Sequence, residues 1–113
     1  MGTVTALLDD YCATAVAWDE ARGNAAKANP LFDHLQQLQK QLRAKPEGRL
    51  GIEALMAHPS VGVRLTAAAH SLQWSPDEAA RVLEAIEAGP GLEAVSAKYT
   101  LKAYRNGTLN LDW

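Results

Sequence analysis

The chain contains one cysteine, Cys12, among 113 residues, so no disulfide can close within it and a reducing compartment is expected. β-Branched hydrophobics are scarce, with eight Val and Ile together against 36 Leu and Ala. That balance favours helix over strand and points to an all-α chain. No apolar run approaches the roughly 20 residues needed to span a bilayer, and Asp9-Asp10 interrupts the first apolar segment early. The amino-terminal stretch also lacks the basic n-region of a signal peptide, so a cytoplasmic protein with no membrane association is expected. A phosphate-binding loop is missing, because Gly89-Pro90-Gly91 follows a helical pattern instead of a strand and carries no lysine. The three histidines, His34, His58 and His70, offer no i, i+4 ligand pair, and a lone cysteine cannot anchor zinc. Neither metal, cofactor nor catalytic activity is expected.

Charge is close to balanced at −2 overall but unevenly placed. Residues 1–20 carry four acids, Asp9, Asp10, Asp19 and Glu20, and no base. Residues 22–49 carry six bases, Arg22, Lys27, Lys40, Arg43, Lys45 and Arg49, against Asp33 and Glu47. The absence of one long basic face argues against a nucleic-acid binder, while the basic segment keeps a weak one as the alternative.

Helical periodicity organises the whole chain. Thr3 or Thr5 caps a first helix whose apolar face runs Val4, Leu7, Leu8, Tyr11, Ala15 and Trp18, and Gly23-Asn24 stops it. A second helix reaches about Ala44, with Leu31, Phe32, Leu35, Leu38 and Leu42 on one side. Pro30 leaves two options there: Asn29 caps a new helix, or a longer helix bends. Pro46-Glu47-Gly48 precedes a short third helix. Ser75-Pro76-Asp77-Glu78 reads as a capping box opening a fifth, Gly89-Pro90-Gly91 ends it, and Asn106-Gly107 stops a sixth. One domain over 1–113 is expected: an N-terminal hairpin (1–45), two repeat-like hairpins (46–107) and a tail (108–113) ending in Trp113.

The fourth helix carries the most information. After His58-Pro59, apolar residues recur at Val61, Leu65, Ala68 and Leu72, one buried helical face. Ala67, Ala68 and Ala69 allow close approach of a neighbour, Gly62 weakens the helix, and Arg64 is placed to bridge to an adjacent element. With Pro76, Glu78-Ala79, Val82-Leu83 and Leu101 through Arg105-Asn106-Gly107, this segment resembles a short bacterial HEAT-like (armadillo-type) family of uncharacterised proteins. The resemblance implies three antiparallel hairpins stacked as a short right-handed solenoid, a build used for binding. It further implies a likeness to toxin-neutralising immunity proteins.

The expected function is therefore a non-catalytic protein-binding module, most specifically an immunity protein that occludes the active cleft of a toxin domain. Asp9, Asp10, Asp19 and Glu20 are the candidate contact residues, since an acidic face suits a basic cleft. Trp113 joins them as a terminal aromatic that either folds back on the last helix or anchors an interface. A structural helical-repeat role is a further alternative, and a monomer or weak homodimer is expected.

Overall fold

The computed structural model describes residues 3–109. Six helices account for them: α1 (Val4–Glu20), α2 (Ala25–Arg43), α3 (Pro46–Ala54), α4 (Val61–Ser71), α5 (Pro76–Glu87) and α6 (Gly91–Arg105). A single 3₁₀ turn, Leu55–Ala57, follows α3. The architecture is all-α and helical hairpins build it: α1 packs on α2, α3 on α4 and α5 on α6. None of the helices is long and apolar enough to cross a membrane among the described residues.

Local chemistry sets each boundary. Thr3 caps α1 by accepting from the Ala6 amide at 3.1 Å, and Asn24 caps α2 by accepting from Lys27 at 3.3 Å. Pro30 thus lies inside a continuous α2, and Asn29 caps nothing. A proline there removes the donor for the Ala26 carbonyl, but both residues are exposed, so water can serve that carbonyl. Pro46 and Pro76 occupy the first turns of α3 and α5, where a missing N–H costs nothing. Ser75 holds the N-cap position of α5, yet its side chain makes no capping hydrogen bond, so the expected capping box does not form. Gly107, at φ 71°, closes α6: its amide reaches the Tyr104 carbonyl at 3.1 Å and that of Thr108 reaches Ala103 at 2.9 Å.

The core is organised around α4, which touches α1, α3, α5 and α6. Eight of its eleven residues are buried, including Val63, Leu65, Ala67 and Ala68. A helix enclosed on nearly all sides must be apolar or small nearly all round, which is what the Val-Gly-Val-Arg-Leu-Thr-Ala-Ala-Ala run supplies. Gly62 has a purpose the sequence did not disclose. A Cβ built there would meet the Cβ and carboxylate of Asp19 at 2.7–2.8 Å, so the glycine permits the close crossing of α1 and α4. Arg64 does not bridge to a neighbouring element. One guanidinium nitrogen donates to the His58 and Pro59 carbonyls, both at 2.9 Å, and staples the turn that leads into its own helix.

Candidate functional site

An apolar cavity of about 350 Å³ opens where α1, α2 and α6 meet over α4. Leu65, Thr66, Ala69 and His70 of α4 form its floor, on the i, i+4 face that α4 turns this way. Trp18 from α1 and Phe32 and Leu35 from α2 make one wall; Val95, Ser96, Tyr99 and Thr100 from α6 make the other. Three rim residues are large, apolar and exposed: Phe32 (41%), Val95 (48%) and Tyr99 (61%). Leu92, one turn before Val95, extends the same α6 stripe at 59% exposure. Trp18, expected in the core from its helical face, packs against the core half-buried and also lines this cavity.

Outside the lining, Arg22 links two of its residues, Trp18 and Ser96. Its Nε donates to Asp19 Oδ1 at 2.7 Å, Nη1 donates to Ser96 Oγ at 2.6 Å, and its guanidinium carbon lies 4.6 Å from the centre of the Trp18 ring. Nη2 is buried and makes no hydrogen bond. The group ties the end of α1 to α6 and sets Trp18 against the wall. Asp19 therefore serves the fold: its cost at the negative end of the helix dipole is offset by Arg22. Gly62→Ala is expected to push Asp19 aside and loosen this tie, costing about 1–3 kcal/mol. Thermal unfolding should show it as a drop of several degrees, with a change in Trp18 fluorescence.

Beneath the floor lies a buried pair. The Tyr11 hydroxyl meets His70 Nδ1 at 2.6 Å, with both side chains enclosed. Burial lowers the His70 pKa to about 3, helped by the Arg43 cation, and raises that of Tyr11 well above its usual value. Both are neutral at physiological pH. The phenol then donates and Nδ1 accepts, which places the imidazole proton on Nε2.

The candidate acids of α1 do not form one face. At 3.6 residues per turn, Asp9 and Glu20 fall about 20° apart around the helix, whereas Asp10 and Asp19 fall on opposite flanks, about 180° apart. Asp9 and Glu20 are exposed. Asp10 is exposed but engaged, accepting from Thr14 at 3.1 Å and meeting His34 Nε2 of α2 at 3.0 Å. Asp19 is turned inward toward Arg22 and Gly62. Trp113 lies outside the described residues.

Against this geometry, residues 6–104 match a family described as a domain of unknown function, DUF2019. The chain belongs to the DUF2019 family. No curated protein matches it. It is similar to the crystal structure of the protein RPA1889 from Rhodopseudomonas palustris CGA009, at 27% identity and a TM-score of 0.83 over 96% of this chain and 93% of that one. The span matched by the DUF2019 family includes every residue of the cavity wall and floor.

Elsewhere in this DUF2019 chain, Cys12 and His58 meet across elements, Sγ to Nε2 at 3.5 Å, a contact that no spacing announced. His58 Nδ1 accepts from the Ser60 amide at 2.9 Å, so in the neutral ring Nε2 carries the proton and cannot take one from the thiol. Burial raises the Cys12 pKa, and Asp9 adds to it. The pair accordingly holds a thiol and not a nucleophilic thiolate. Among the described residues, no three His, Cys, Asp or Glu side chains converge as a metal site. The basic segment is also divided: Arg22 is held by Asp19 and Ser96, Arg43 donates to Gln73 Oε1 at 2.7 Å, and Lys27, Lys40 and Lys45 stand exposed.

Proposed function

We propose that this chain is a non-catalytic protein-binding module whose docking surface is the α6 stripe together with the cavity rim. The carrying observation is the exposure of Leu92, Val95 and Tyr99 along one face of α6, opposite Phe32, on a scaffold of packed helices. Large apolar side chains held rigidly outward lose little entropy when a partner covers them, and aromatic residues dominate the energy of such contacts. HEAT-like stacking of the hairpins would suit such a surface. The narrower form of the proposal is an immunity protein that covers the active cleft of a toxin domain. Its support is the resemblance noted in the sequence and the exposed Asp9 and Glu20, whose charge would steer a basic cleft toward α1.

Affinity purification of the tagged chain from its source cells, with mass spectrometry, tests the proposal. A stoichiometric toxin-like protein that is lost with Tyr99→Asp and retained with a distant control, Glu53→Gln, is the expected result. Recovery of nucleic acid alone, released by salt, would replace it with the basic-segment alternative. Reversing Asp9 and Glu20 to lysine is expected to slow association without altering the helical circular dichroism spectrum. Unchanged association kinetics would remove the acids from the interface.

A further inference from the structure

We propose that the cavity between α1, α2 and α6 binds an uncharged, flat bicyclic compound that carries one carbonyl oxygen, held by the Ser96 hydroxyl. This goes beyond the partner-docking proposal, because the occupant is a small molecule seated beneath the rim. Size sets the body of the ligand. An apolar cavity of about 150 Å³ accommodates benzene, so one of about 350 Å³ has room for two fused rings. Three helices each bring an aromatic side chain to the lining, Trp18, Phe32 and Tyr99. Ring pairs gain attraction beyond the area they bury, which favours a ring over a branched chain as the occupant.

The lining decides the charge. It contains no aspartate, glutamate, lysine or arginine, and its one imidazole, His70, is neutral at physiological pH. A carboxylate or ammonium entering here would exchange its hydration for apolar walls without a counter-ion, so a charged ligand is rejected. Arg22 lies outside the lining and is paired with Asp19 at 2.7 Å, so it acts on the cavity only through Ser96. Its Nη1 donates to Ser96 Oγ at 2.6 Å, which polarises the serine O–H and leaves the proton to donate. That proton has no acceptor among the described residues, and Ser96 stands in the cavity wall. The Thr66 hydroxyl, by contrast, is committed to the Gly62 carbonyl at 2.9 Å. One polarised donor among apolar walls suits one neutral acceptor, the oxygen of a ketone, lactone or amide.

The probes are 1-indanone, its parent hydrocarbon indane and the anion indane-1-carboxylate, each titrated into the ¹⁵N-labelled chain. Saturable shifts at the Trp18 indole, Ala69 and Ser96 are expected with 1-indanone, which should bind about tenfold more tightly than the carboxylate. Carboxylate binding as tight as that of the ketone overturns the uncharged assignment, and no saturable shift with 1-indanone overturns the site. Ser96→Ala is expected to weaken 1-indanone about fivefold and to leave indane within about twofold. Equal losses for the two, or none, overturn the role given to Ser96. Should that variant lose its fold, Ala69→Leu carries the test, because it fills part of the floor and leaves Arg22 its acceptor. Both uncharged probes should then bind about tenfold more weakly, and unchanged binding overturns the site. N-acetyl-tryptophanamide, a mimic of an inserted side chain, is the last arm. Tighter binding of that amide than of 1-indanone would assign the cavity to a partner's aromatic residue and overturn the small-molecule occupant.

Discussion

Acidification from pH 7 to pH 4 is expected to remove about 3 kcal/mol of stability through His70 alone. The sign follows from the direction of the shift. In the folded chain His70 takes up its proton only near pH 3, whereas in the unfolded chain it does so near its ordinary value of 6.5. Between those values the unfolded state binds the extra proton, so stability falls as pH falls, by about 1.4 kcal/mol per pH unit once below 6.5. Above pH 7 this group contributes no slope. The penalty has a clear origin: charging His70 places a cation in a site closed to water, near the Arg43 guanidinium, and against a Tyr11 hydroxyl that must then stop donating to Nδ1. Urea unfolding at half-unit intervals from pH 7 to 4 measures it. His70→Gln keeps a polar partner for Tyr11 and removes the titration, so its stability should lose one proton's worth of slope in that window. A slope identical in the two proteins would mean that His70 is not buried neutral.

This pair also marks the limit of what the sequence discloses. Helix starts and stops are local events, and Thr3, Pro46, Pro76 and Gly107 announce them within a turn of where they act. The all-α class follows from the same residues. Long-range pairs leave no such trace. Tyr11 and His70 are 59 residues apart, and Arg22 and Ser96 are 74 apart, yet these two contacts hold His70 in the floor and Ser96 in the wall of the cavity. Phe32 and Leu35 read alike on one apolar face of α2, yet Leu35 is buried and Phe32 exposed, because a periodic apolar face does not say whether a neighbour covers it or leaves a gap. The acids of α1 divide for a related reason. They are close in sequence, but a helix sends Asp10 toward α2 and Asp19 toward α4, leaving Asp9 and Glu20 outside. Arg64 departs the other way: its position predicts a bridge to a neighbouring element, and the side chain reaches back to its own turn.

Gly48→Ala is expected to be the most damaging conservative change in the chain, costing about 3 kcal/mol or more and lowering the melting temperature by ten degrees or so. A Cβ at this position would fall on the carbonyl of Leu42 and within 2.8 Å of its Cα, all of it backbone. That carbonyl cannot turn away, because it accepts from the Lys45 amide at 3.1 Å in the turn joining α2 to α3, and the Leu42 side chain is fully buried. Relief requires the two helices to separate, which opens packing around Leu42 and Ile52. Gly51→Ala supplies the contrast within the same helix. Its new Cβ would crowd the methyl groups of Leu8 and, at 3.1 Å, its Cγ, all atoms of a side chain that can change rotamer. Alanine also favours helix over glycine by about 1 kcal/mol, which offsets much of the crowding, so a change within about 1 kcal/mol is expected. Paired thermal melts of the two variants decide whether backbone approach sets the α2–α3 junction. Similar losses for both would show that α3 tolerates or rejects side chains generally, and that the Leu42 contact has no special weight.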